Sequence, residues 1–180
     1  MLKKVLVNLG IFWYDLNGSD IAQFVAVNEV SNMRESVGHE KEEGSYISKY
    51  AKSTTEFTDG DLLVDALSSL GYAVEYNTRP IPLNGWLDNS EAEIILRKTN
   101  LSGAHADIGF RLNVKTGRYD VLADEDDMRN YGYGREWLNK VKVSYREKQT
   151  IQMATQRLGL RFVDSRHRED GKIEMEFLTV

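Results

Sequence analysis

The chain contains no cysteine at all. Disulfides, thiolate catalysis and cysteine-ligated zinc are therefore excluded, and a cytosol-like compartment is the expected setting. Proline occurs only twice, as Pro80 and Pro82, inside one short stretch from Thr78 to Gly85. Proline fixes its own φ and biases the preceding residue away from the helical region, so that stretch is expected to be extended. No run of about 18 apolar residues occurs, so no membrane span is expected. The start, Met1-Leu2-Lys3-Lys4, leads into a run interrupted by Asn8 and Gly10 with no small-residue cleavage site after it. It reads as a strand, not a signal peptide.

What is present is ordinary for a globular chain of 180 residues, with 41% hydrophobic and 28% charged side chains. The net charge of −5 hides an asymmetry, because residues 135–172 alone carry +5. Such a split can mark a nucleic-acid face, and it can equally be a solvated helix; the latter is the commoner case.

Residues 106–124 fix the middle of the chain. Ala106 to Asp124 reads as two alternating strands around the turn Lys115-Thr116-Gly117-Arg118, an antiparallel hairpin. A helix is expected from Asp61 to Leu70, with Thr58 or Asp59 as its cap and Gly71 as its stop. Leu62, Leu63, Ala66, Leu67 and Leu70 recur there at helical spacing. Tyr72 to Tyr76 and Glu93 to Arg97 read as further strands. A second helix runs from about Glu136 to Leu158 and stops at Gly159. Leu160 to Val163 and Ile173 to Leu178 form a closing hairpin around Glu169-Asp170-Gly171-Lys172. These elements predict an α+β two-layer sandwich, mostly antiparallel, with two main helices on one face. Residues 1–47 read as an N-terminal extension: a strand near Lys3 to Phe12, an ambiguous segment from Ile21 to Met33, and a polar loop from Gly38 to Gly44. Residues 48–180 form the main domain.

From about Ser48 onward the sequence resembles the conserved chloroplast and cyanobacterial reading-frame-thirty-five family, a domain of unknown function. The resemblance rests on Phe57 with Asp61-Leu62-Leu63, Leu70-Gly71-Tyr72 and Ala92 to Arg97. It continues through Asp107 to Arg111, Tyr119 to Asp124, Tyr145, Gly159 and Gly171-Lys172-Ile173. It implies no activity, and it implies a divergent, N-terminally extended member such as a phage genome would carry. A plastid stroma or a host-cell cytoplasm would be the corresponding compartments.

Several side chains are candidates for function. Asp107 and Arg111 flank Gly109 at two-residue spacing and share a sheet face, where Arg111 could clamp an anion with Asp107 orienting it. The bland alternative is a cross-strand ion pair with Glu93, Arg97 or Asp120. Arg79 and Trp86 in the proline stretch, and Tyr131, Tyr133 and Trp137 in a glycine-rich one, are candidate contact aromatics and cations. Nucleic acid could be bound by Lys140, Lys142, Arg146, Arg166 and Arg168. The carboxylates Asp124 to Asp127 could attract a hard cation, but they sit where acidic residues cap a helix. No metal ligand set, cofactor loop or nucleophile–base pair is assigned, and His39, His105 and His167 are expected in loops. The reading leans away from an enzyme and toward a domain that binds a protein partner. Nucleic-acid binding and small-molecule or anion binding at Asp107 and Arg111 are the alternatives.

Overall fold

The computed structural model describes residues 4–8, 11–12, 50–85, 89–168 and 173–179. The expectations for 21–33, for the 38–44 loop with His39, for Trp86 and for the turn at 169–172 lie outside the described residues. The backbone divides into two compact units, Gly44–Lys148 and the segments Met1–Glu43 with Gln149–Val180.

In the larger unit, β3 (Tyr50–Thr54), β4 (Val74–Pro82), β5 (Glu91–Leu96), β6 (Ile108–Asn113) and β7 (Arg118–Asp124) form one sheet in the order β3-β7-β6-β5-β4. Every neighbouring pair in it is antiparallel. The fold is α+β. The strands β6 and β7 are the expected hairpin, with Gly117 at φ 67° in its turn.

Helix α1 (Gly60–Ser69) starts where Asp59 accepts a hydrogen bond from the Leu62 N–H. It stops as its glycine demands. Gly71 takes φ 89°, its N–H bonds to Ser68 O, and the Tyr72 N–H bonds to Leu67 O. That double closure satisfies carbonyls that the helix end would otherwise strand. Leu62, Leu63, Ala66 and Leu67 are buried by the same stripe that predicts the helix.

Helix α3 (Arg135–Leu158) contributes Trp137, Val141 and Tyr145 to the same core. These residues join α1 on the face formed by Ile94, Leu96, Ile108, Phe110, Val121 and Ala123. The two helices touch through Ser69 and Ser144, whose hydroxyls lie 2.9 Å apart. Tyr145 ties α3 to the start of α1, its hydroxyl accepting the Thr58 and Asp59 N–H groups at 3.1 and 3.0 Å. Burying side chains of this size stabilises by about 1.5–3 kcal/mol each.

The smaller unit holds a four-stranded sheet in the order β2-β1-β9-β8, built from β1 (Lys4–Asn8), β2 (Ile11–Phe12), β8 (Leu160–His167) and β9 (Ile173–Thr179). The closing hairpin thus belongs to a second sheet, paired with the strand near the N-terminus. Ile173, Met175 and Phe177 cluster there with Leu160 and with Ala154 of α3.

Candidate functional site

Alternation along β6 and β7 sends Ile108, Phe110, Val121 and Ala123 toward the helices. Gly109, Arg111, Arg118, Asp120 and Leu122 therefore belong to the opposite, outer face. A small second cluster of Leu83, Ala92, Ile95 and Leu122 fills part of that face.

Gly109 leaves no room for a ligand. A Cβ there would lie 2.7 Å from Leu83 Cδ1 and 2.8 Å from Ala92 Cβ. The absent side chain lets the segment after Pro82 fold onto the sheet, and Leu83 takes the space. The room that the glycine leaves beside Asp107 and Arg111 is thus taken by Leu83 and not by a ligand.

Asp107 and Arg111 also do not act together. Asp107 is fully buried, and its Oδ2 accepts from Asn84 N and from Arg97 Nη1, each at 2.8 Å. Its Oδ1 accepts from Lys98 N at 2.8 Å. Arg97 also donates to Glu75 at 2.6 Å and to the Pro82 carbonyl at 3.2 Å. The Arg97 guanidinium, bonded to Glu75 and Asp107, is held firmly in its charged form, and it draws the Glu75 carboxyl below its ordinary range. Asp107 and Arg97 are thus a buckle that holds the proline segment.

Arg111 turns instead to β5. Its Nη1 lies 3.2 Å from the Glu91 carbonyl and 3.4 Å from Glu91 Oε2, and its Nε lies 3.8 Å from Glu93. These are long contacts for a guanidinium, and the side chain is partly exposed.

The residue directly opposite Arg111 is Asp120. Asp120 has no exposed surface. Its Oδ2 meets Lys52 Nζ at 2.9 Å and Asn113 Nδ2 at 3.1 Å. Its Oδ1 is buried and has no hydrogen-bond partner among the described residues. An unpaired buried carboxylate oxygen is costly and uncommon in folded proteins. Arg118, two residues before Asp120, is exposed, and among the described residues its guanidinium has no hydrogen-bond or ion-pair partner. Sequence spacing singled out Asp107 and not Asp120, although both are polar residues alternating with core positions of one hairpin.

The other candidates disperse. Tyr133 is buried, its hydroxyl donating to Ser102 O at 3.2 Å, and burial raises its phenol pKa. Trp137 is buried against Phe110 and Tyr133, with its indole N–H donating to Tyr72 at 2.9 Å. Both are core residues, which corrects the expectation of an exposed aromatic surface there; of these three, Tyr131 stays exposed, edge-on to His105 at 4.6 Å. Arg79 is exposed on β4. Arg146 is engaged with Glu56 at 3.0 and 2.8 Å. Lys142 shares its stripe of α3 at one-turn spacing, while Lys140 lies on another. In the smaller unit Arg166 bonds Asp164 at 3.1 Å, and Arg168 is exposed beyond the end of β8. His105 lies in a loop, while His167 closes β8 rather than sitting in one.

The acidic run serves as a cap and an anchor. Asp124 accepts from the Asp126 and Asp127 N–H groups at the start of α2 (Glu125–Asn130). Asp127 accepts from His105 N and Ala106 N at 2.9–3.0 Å, fixing the segment that leads into β6.

A family model described as "Protein of unknown function (DUF1257)" matches residues 66–175. No curated protein and no solved structure matches the chain.

Proposed function

We propose that this chain, which belongs to the DUF1257 family of proteins of unknown function, is a binding domain whose ligand seats on the outer face of the five-stranded sheet at Asp120. One observation carries this reading: the buried Asp120 carboxylate has an oxygen without a partner among the described residues. A ligand that donates a hydrogen bond to Oδ1 removes the cost of leaving it bare, so the free energy stored there is returned on binding. The neighbouring Lys52 and Arg111 are partly exposed and can move to admit it. Small molecules screened by thermal shift test the proposal, since a ligand of the native state raises Tm. The expected result is a rise in Tm that Asp120→Asn removes. A set that produces no rise, or a rise that survives Asp120→Asn, would sink it.

A second reading, contact with a protein partner, is supported by apolar side chains left exposed on the larger unit. Val114 is 88% exposed at the tip of the β6–β7 hairpin, and Tyr131 is 40% exposed. Capture of the same partners by the Val114→Ser, Tyr131→Ala double variant as by the wild-type chain would remove this surface from consideration.

The finer lineage is likewise our proposal: an extended, divergent member of the chloroplast and cyanobacterial reading-frame family, with residues 1–47 as the extension. The order of matching segments from Phe57 to Ile173 supports it. Action in a cytoplasmic compartment is supported by a chain without cysteine.

A further inference from the structure

We infer that the ligand received at Asp120 is a small zwitterion, with an ammonium group on Asp120 Oδ1 and a carboxylate on the Arg118 guanidinium. The inference rests on the reading of Asp120 as the ligand-facing residue and adds the chemistry of the ligand.

The charged side chains around Asp120 differ in how fully they are engaged. Lys52 is committed to Asp120 Oδ2 at 2.9 Å. Arg111 is drawn toward Glu91 and Glu93. Among the described residues two groups are left over: the Asp120 Oδ1 acceptor and the Arg118 guanidinium.

Those two groups lie on one strand and one face. Residues two apart on a strand are separated by about 7 Å, and their side chains point the same way. Arg118 pairs in register with Asn113, the residue that also donates to Asp120. Asn113, opposite the one and bonded to the other, thus adjoins both residues.

Each leftover group selects its complement. An ionised carboxylate makes its strongest hydrogen bonds to a charged donor, so an ammonium is favoured over a neutral amide or hydroxyl. A guanidinium is a planar fork that matches a carboxylate, and an exposed one loses little hydration in taking it. The separation favours an ω-amino acid, whose charges stand several bonds apart, over an α-amino acid, whose charges are adjacent.

Amide chemical shifts of the full chain, titrated with γ-aminobutyrate, butylamine and butyrate, test this. The three probes share one chain length and differ only in which charge is present. γ-Aminobutyrate is expected to shift the amides of Lys52, Arg118 and Asp120 and to bind at least about tenfold more tightly than either single-charge probe. Arg118→Gln is expected to reduce its affinity to that of butylamine and to leave butylamine binding unchanged. Arg118 is exposed, so this variant folds even where Asp120→Asn does not. Butylamine binding as tightly as γ-aminobutyrate overturns the zwitterion while leaving Asp120 as the ligand-facing residue. If none of the three probes moves these amides, the inference falls, and the wider thermal-shift screen separately decides the reading it rests on.

Discussion

Arg97 Nη1 lies 2.8 Å from Asp107 Oδ2, joining the residue after β5 to the residue before β6 beneath the proline segment. Asp107 has no exposed surface and also takes the Asn84 and Lys98 N–H groups. Removing Asp107 leaves Arg97 with Glu75 but takes the acceptor from the Asn84 and Lys98 N–H groups, at a cost of about 1–3 kcal/mol. Asp107→Ala is expected to lower urea-unfolding stability by about that amount. Hydrogen exchange should show the Asn84 and Lys98 amides losing protection first. Uniform loss across the sheet would contradict the local role.

Gly109 should not tolerate a methyl group. Alanine there meets Leu83 and Ala92 at under 3 Å. The overpacking is expected to cost about 1–3 kcal/mol. The clash has a partial reliever: Leu83→Ala in the same chain should recover part of the cost of Gly109→Ala, the contact with Ala92 Cβ remaining. A double-mutant cycle with no coupling would show that some other contact limits the site.

Tyr119 gives the fold an alkaline edge. Burial, with the Tyr76 hydroxyl beside it, pushes the Tyr119 phenol up to about 12. The unfolded chain has the ordinary phenol value near 10, so between these values the folded state holds a proton that the unfolded state releases. Stability from this group is complete below pH about 10 and is lost as pH rises through about 12. Chemical unfolding followed across that window should show the decline, and Tyr119→Phe should flatten it. An equal slope in the variant would assign the loss to other groups.

Trp137 and Tyr131 should separate cleanly. Trp137 fills the core between Phe110, Tyr72 and Tyr133, so Trp137→Ala is expected to cost about 3–5 kcal/mol. Tyr131 is exposed, and Tyr131→Ala should stay within about 0.5 kcal/mol. Denaturant midpoints of the two variants are the measurement. A large loss in the second would mean that its edge contact with His105 holds the loop.

Much of the scaffold was legible from neighbours in sequence. The stripe of Leu62, Leu63, Ala66 and Leu67 with Gly71 behind it contains both the reason for α1 and the reason for its end. The Asp120 to Ala123 alternation likewise sorts core from outer face without any tertiary information. Candidate chemistry was less legible. Asp107 and Asp120 look equivalent in sequence, each a carboxylate alternating with core positions. One is held by three donors and the other keeps an oxygen without a partner among the described residues, because their partners come from segments as distant as Lys52 and Asn84.

The sequence by itself determined the α+β elements, the turns of its central hairpin and the helix stops, because those depend on torsions and hydrogen bonds within a few residues. Tertiary structure decided the rest. It put the closing hairpin in a second sheet beside β1 and Trp137 and Tyr133 in the core. It also gave Asp107 to Arg97 and filled the space at Gly109 with Leu83. Those outcomes depend on which distant surfaces meet, and burial and charge pairing are settled only when they do.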